Sequence, residues 1–148
     1  MEETKLAGSF VKNSREKIFV GLNEFKGKWR IFIRAYVPSV EEGKDWLPTQ
    51  KGISLEVEQY PALLSAMEET GKDLQTEREV AAIGKSKTQE IRVGISHFKN
   101  MQLVDLRTYV EIDGEKRPTQ KGVSMKAELY PQLMEAVRKL GELIHAAS

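Results

Sequence analysis

The chain is written twice, and this repetition constrains its fold more than any other feature. Lys17-Ile18-Phe19-Val20-Gly21-Leu22-Asn23-Glu24-Phe25-Lys26 returns as Glu90-Ile91-Arg92-Val93-Gly94-Ile95-Ser96-His97-Phe98-Lys99. Ile33-Arg34-Ala35-Tyr36-Val37 returns as Leu106-Arg107-Thr108-Tyr109-Val110, and Pro48-Thr49-Gln50-Lys51-Gly52 returns unchanged as Pro118-Thr119-Gln120-Lys121-Gly122. The offset is 73 residues up to Val37 and 70 from Pro48 onward. A single length change between these blocks is what a surface hairpin loop absorbs. Whatever one copy folds into, the other must fold into as well.

Each copy reads strands first and helix last. Ile18, Val20 and Leu22 alternate with Phe19, Gly21 and Asn23, and Ile91, Val93 and Ile95 repeat the pattern. A period of two marks a half-buried strand. In the next strand Ile31, Ile33 and Val37 share one face, so Arg34 and Tyr36, like Arg107 and Tyr109, take the other. Asp113-Gly114 signals a two-residue hairpin, with Glu42-Gly43 as its looser equivalent. Short strands are predicted at about 45–48 and 53–56, and again at about 115–118 and 123–126. Tyr130, Leu133, Met134, Val137, Leu140 and Ile144 then form one helical stripe, begun in the first copy by Tyr60, Leu63, Leu64 and Met67. Pro61 and Pro131 belong in the first helical turn, and Gly71 ends the first helix. The expected organisation is an N-terminal extension over 1–16, a first repeat over 17–70, a linker over 71–89 with some helical character from Asp73 to Ala82, and a second repeat over 90–148.

Composition removes several classes of function. The 148 residues include no cysteine, so disulfides and thiolate metal sites are excluded, and His97 and His145 have no metal-ligand spacing. No apolar run approaches the roughly 18 residues of a membrane span. The mixed-charge N-terminus leads into no long apolar stretch, so an intracellular protein is expected. No phosphate-binding glycine loop is present, and Ser54 and Ser124 recur without a recurring histidine, so no catalytic residue, cofactor or enzymatic activity is expected. The net charge of +1 conceals a split. Residues 17–52 hold seven Lys/Arg against four Asp/Glu, whereas 53–82 hold two against seven. A basic sheet beside an acidic helix suggests that the sheet meets an anion.

The turn between the first two strands carries the strongest chemical signal. Turns are polar, yet Phe25-Lys26-Gly27-Lys28 and Phe98-Lys99-Asn100 place the same aromatic there in both copies. A ring beside an ammonium group suits a base stacked on the ring with its phosphate on the lysine. A ring folded back to cap the sheet is the structural alternative. Arg34 with Arg107, and Lys51 with Lys121, extend the basic track.

In this order these motifs resemble the C-terminal domain of the positive cofactor four family of transcriptional coactivators. The first copy carries them as Phe25-Lys26-Gly27-Lys28, Ile33-Arg34-Ala35-Tyr36, Lys51-Gly52-Ile53-Ser54-Leu55 and Glu58-Gln59-Tyr60. The second carries Phe98-Lys99, Leu106-Arg107-Thr108-Tyr109, Lys121-Gly122-Val123-Ser124-Met125 and Glu128-Leu129-Tyr130. The resemblance implies an α+β fold of two tandem units, each a four-stranded antiparallel curved sheet followed by a helix. It also implies grooves that hold single-stranded DNA, or the open strands of melted duplex, with little sequence preference. The residues it assigns to binding are Phe25, Lys26, Lys28, Arg34, Lys51, Phe98, Lys99, Arg107 and Lys121. Val37 and Val110 replace the family's tryptophan, Gln50 and Gln120 replace its basic residue before Lys-Gly, and Met101 replaces the second turn lysine.

A unit of some 50 residues buries too little surface to be comfortably stable alone, and its helix has an unpartnered stripe. The two helices are therefore expected to pack within one chain as an intramolecular pseudo-dimer. The expected function is non-enzymatic binding of single-stranded DNA in transcription, replication or repair. RNA binding, docking of a transcription-machinery protein on the same sheet, and further homodimerisation remain open.

Overall fold

The computed structural model describes residues 3–147. Two four-stranded antiparallel meanders make up most of it. The first runs β1 (Thr4–Val11), β2 (Lys17–Phe25), β3 (Lys28–Pro38) and β4 (Trp46–Glu56), and helix α1 (Tyr60–Gly71) follows. The second runs β5 (Arg78–Gly84), β6 (Gln89–Phe98), β7 (Met101–Ile112) and β8 (Glu115–Lys126), with α2 (Tyr130–Ala147) after it. A 3₁₀ turn leads into each helix, and no described helix is long and apolar enough to cross a membrane. The α+β architecture of two sheet-and-helix units is the one expected from the repeat.

The strands that fill each sheet differ from those expected. The expected N-terminal extension contains an edge strand, because Thr4–Val11 pairs with β2 from Thr4↔Asn23 to Val11↔Lys17. Likewise 71–89 is more than a linker, and its expected helical character gives way to β5, paired with β6. Conversely, the two short strands read in each third quarter are one continuous strand, β4 or β8, interrupted by a bulge. The repeat thus extends at offset 73 back to the first strand. It is hard to see because no residue of Thr4–Val11 is identical to its counterpart in 77–84.

One core lies between the sheets and the helices. Ile18, Val20, Leu22, Ile31, Ile33, Ile53 and Leu55 from the first sheet join Ile91, Val93, Ile95, Val104, Leu106, Val123 and Met125 from the second. The helices contribute Leu63 and Met67, and Leu133, Val137 and Leu140. Each of these helical side chains is fully buried, and such burial is worth roughly 1.5–3 kcal/mol per side chain. The helices cross over. α2 lies against β1 and β2, α1 lies against β5 and β6, and β4 meets β8. Neither copy completes a core without the other's helix.

Two reciprocal contacts fix the helix pair. The Tyr60 hydroxyl donates to the Val137 carbonyl at 2.8 Å, and the Tyr130 hydroxyl donates to the Met67 carbonyl at 2.6 Å. Burial pushes both phenols above their usual pKa, so they remain neutral donors. Each hydroxyl lies over a glycine of the facing helix. A methyl group at Gly141 would stand 2.6 Å from the Tyr60 oxygen, and one at Gly71 would fall on that of Tyr130.

In an ordinary helix Gly→Ala gains about 1 kcal/mol. Here Gly141→Ala should lose roughly 1–3 kcal/mol through overpacking. Trp29 and Trp46 both lie in the first copy, so tryptophan emission reports that copy while far-ultraviolet circular dichroism reports both. In urea the two signals should shift together to a lower midpoint. A stabilised variant, or separated transitions, would refute the shared core.

Candidate nucleic-acid interface

Both β2–β3 and β6–β7 hairpins close on two residues with positive φ. These are Lys26 (53°) with Gly27 (77°), and Lys99 (49°) with Asn100 (64°). This is type I′ geometry, which matches the strand twist and favours Asn and Gly. A lysine there bears a steric cost of roughly 1–2 kcal/mol. Both turns accept that cost at the same position, and residues held in such conformations cluster at functional sites. The outcome is the same in each: Lys26 Nζ lies 5.3 Å from the Phe25 ring centre, and Lys99 Nζ lies 5.3 Å from that of Phe98. The rings are 54% and 57% exposed. Neither folds back as a cap, and each offers an open face beside a cation.

Residues directly opposite one another in an antiparallel pair share a face. The register Lys17↔Tyr36, Phe19↔Arg34, Asn23↔Arg30 and Phe25↔Lys28 therefore places these eight side chains on the face of the first sheet turned away from the helices. Phe32 shares that face and is buried outside the main core. Phe19 packs against Tyr36, tilted 40° with ring centres 4.3 Å apart, and approaches Trp46 at 6.4 Å. Lys17 Nζ stands over Phe19 at 5.6 Å and over Trp46 at 5.4 Å, within cation–π range. Lys28 pairs with Glu56 at 3.3 Å, an exposed contact of little energetic weight. Among the described residues, no carboxylate pairs with Lys17, Arg30 or Arg34. Lys17, Phe19, Arg30 and Trp46 were not among the residues expected from sequence. The alternation of β2 already set Lys17 and Phe19 opposite Ile18 and Val20, and that was the available signal.

The repeated Pro-Thr-Gln-Lys-Gly builds a bulge in each sheet. Arg34 pairs with Gly52 and Tyr36 with Pro48, so Thr49, Gln50 and Lys51 face Ala35 alone. Arg34 Nη1 donates to the Thr49 carbonyl at 2.9 Å, and the Thr49 hydroxyl donates to the Ala35 carbonyl at 2.8 Å. Arg107 and Thr119 repeat both bonds, each at 2.8 Å. At Gly52 and Gly122 a Cβ would lie 2.8 Å from the carbonyl of the adjacent strand, so only glycine lets the strand rejoin the ladder. The two arginines therefore have a structural duty besides any contact with a ligand, and the bulges carry Lys51 and Lys121 across to the other copy. Lys51 lines a cavity with Arg107, whereas Lys121 lines one with Arg34.

The second sheet has the same backbone and a different charge balance. Arg92 replaces Phe19 and lies over the Tyr109 ring at 4.2 Å. Glu90 replaces Lys17 and bonds to Arg92 at 2.7 Å, which holds its carboxyl below the usual range, and Glu79 pairs with Arg92 at 3.2 Å. Asp105 replaces Phe32 and pairs with Arg107 at 3.0 Å. Phe32 reaches within 3.1 Å of where a Cβ of Gly21 would stand. In the second sheet a cavity of about 260 Å³ opens instead, lined by Gly94, Asp105, Arg92 and Tyr109. Phe98 and Lys99 keep the open turn, but the track behind them is neutralised. Among the described residues no group of His, Cys, Asp and Glu could hold a metal ion.

Residues 12–66 and 85–136 each match the family described as transcriptional coactivator p15 (PC4). The RNA polymerase II transcriptional coactivator SUB1 of Saccharomyces cerevisiae is 37% identical over 68 residues, covering 40% of this chain and 22% of that protein. The chain thus spans about a fifth of the length of this curated relative. A PC4 homologue from Burkholderia pseudomallei is 30% identical, with 49% of this chain and all of that one covered, at a TM-score of 0.38. The Trypanosoma brucei MRP1/MRP2 structure covers the whole of this chain and 87% of its own at 10% identity, with a TM-score of 0.42. Because both repeats match the family model, over more than half of the sequence, the chain belongs to the PC4 transcriptional coactivator family.

Proposed function

We propose that this protein binds single-stranded DNA, without catalysis and with little sequence preference, as an intracellular factor in transcription, replication or repair. The observation that carries the reading is the outer face of the first sheet. There Phe19, Tyr36 and Trp46 alternate with Lys17 and Arg34, and the row ends at the open Phe25-Lys26 turn. Aromatic faces stack on any base and cations follow the backbone, which is how single strands are held without reading sequence. Membership of a coactivator family supports a place in transcription. In this reading Phe25, Lys26, Lys28, Arg34 and Lys121 serve the main track. Phe98 and Lys99 make a secondary contact, and Lys51 and Arg107, each held by a partly buried carboxylate where the Lys28 pair is exposed, contribute less.

A duplex hides the base faces that a single strand offers. A ~20-nucleotide oligo(dT) should therefore bind more tightly than blunt duplex of equal length at the same salt, and should quench Trp46. Equal affinities would reduce the interaction to electrostatic attraction. An RNA analogue in the same titration shows whether the sugar is read.

The two halves of the turn separate by salt. Lys26→Asn keeps a residue suited to positive φ and removes only the charge, so the fold should hold. The slope of log K against log salt should flatten by about 0.7, one single-strand phosphate contact. Phe25→Ala removes stacking worth roughly 1–3 kcal/mol, about 5- to 150-fold in affinity, and should leave the slope intact. The half-exposed ring makes this variant a fair test of binding, confirmed by an unchanged urea midpoint. Wild-type affinity in a folded Phe25→Ala would remove the stacking role.

A further inference from the structure

We propose that Arg34, Lys85 and Lys121 form a phosphate-binding pocket between the two copies, and that its pseudo-symmetric twin is closed to anions by internal ion pairs. Two cavities of about 460 and 450 Å³ lie where β4 and β8 meet. The first is lined by Arg34, Gln50, Ser54, Lys85, Gln89 and Lys121. In the second, Arg107, Gln120, Ser124, Lys12 and Lys51 stand at the positions of Arg34, Gln50, Ser54, Lys85 and Lys121. The three cations are therefore the same in kind and place.

Two positions change the chemistry. Glu16 occupies the place of Gln89, and it pairs with Lys12 at 3.3 Å and Lys51 at 3.7 Å. Partial burial alone would raise its pKa, yet the Asn13 amide and the two lysines outweigh this and hold the carboxyl below its usual range. Asp105 occupies the place of Phe32 and pairs with Arg107. The three cations that line the second cavity are thus each paired with one of two carboxylates beside it. In the first, the corresponding residues are a neutral amide and a phenyl ring, and no carboxylate pairs with Arg34, Lys85 or Lys121 among the described residues. The half-buried Lys85 has its pKa lowered by burial, and further by Arg30 and Lys121. Only the Glu56 carboxylate opposes this, and Glu56 is already paired with Lys28. Uncompensated cations in a partly enclosed, hydrogen-bonding cavity call for an anion.

Arg34 and Ser54 belong to the outer face of the first sheet, so the pocket lies on the proposed track, and its assignment to the strand's backbone rests on that reading. Lys85 and Lys121 come from the second copy yet complete the site of the first. The consequence is one strand per chain, although the chain has two sheets.

The test compares pseudo-symmetric lysines. Lys85→Gln should weaken oligo(dT) binding about 5- to 10-fold at low salt and flatten the salt slope by about 0.7. Lys12→Gln should change affinity less than 2-fold, Lys85→Arg should restore binding, and calorimetry on the parent should count one strand per chain. Inorganic pyrophosphate, titrated against the same proteins, reads the pocket without a nucleic acid. It should bind the parent and Lys12→Gln, and fail on Lys85→Gln. Pyrophosphate binding that is lost in Lys85→Gln, with no binding of any oligonucleotide, would keep the pocket and remove the strand. Oligonucleotide binding unaffected by Lys85→Gln, or two equal strands per chain, would overturn the proposal while the nucleic-acid reading stands.

Discussion

The antiparallel contact between α1 and α2 is the interaction on which the rest of the molecule depends. Tyr60 reaches over Gly141 to the Val137 carbonyl, and Tyr130 reaches over Gly71 to that of Met67. The same three groups appear on each side, so the contact imposes a local two-fold relation on a single chain. Because each helix lies against the other copy's sheet, holding the helices also holds the sheets. The sheets in turn bring β4 against β8, which places Lys121 beside Arg34. A cavity lined by both copies follows from the pairing of two tyrosines with two glycines.

A duplicated scaffold need not give duplicated chemistry. Nearly all inward residues stay apolar in both copies, with Val20 and Val93 or Ile33 and Leu106 as matched pairs; Thr108 in place of Ala35 and Thr70 in place of Leu140 are the buried polar exceptions. A core packed to crystal-like density tolerates little volume change. The outward residues bear no such constraint, and there the copies diverge. Phe19 becomes Arg92, Phe32 becomes Asp105 and Lys17 becomes Glu90. Each change replaces a ring or a cation with a group that pairs internally. The first face keeps its charge available to a ligand, while the second satisfies its own.

Much of this was legible in the sequence. The period-two alternation of β2 and β6, the helical stripe and the Asp113-Gly114 turn each follow from local rules that packing reinforced. The edge strands β1 and β5 were not legible. Their bulges at Ala7 and Val80 break the alternation, and in β1 only Ala7 and Phe10 are buried. Pro-Thr-Gln-Lys-Gly was visible as a motif, but a bulge inside a strand reads like a gap between two. The Phe-Lys turn was legible because an aromatic at a polar position needs a reason. The partnership of Arg34 with Lys85 and Lys121 was not, because it is set by how two sheets meet rather than by spacing along either.

In the proposed mode of binding a nucleic-acid strand lies along the outer face of the first sheet, and the second sheet offers it only Phe98 and Lys99 at its turn. Amide and side-chain chemical shifts, followed by NMR as a single-stranded oligonucleotide is added, test it most directly. The largest changes should fall on Phe19, Phe25, Lys26, Arg34, Lys85 and the Trp46 indole, with Glu90, Arg92 and Asp105 almost unmoved. Equal changes on the two faces, or changes centred on Arg92 and Tyr109, would contradict the account.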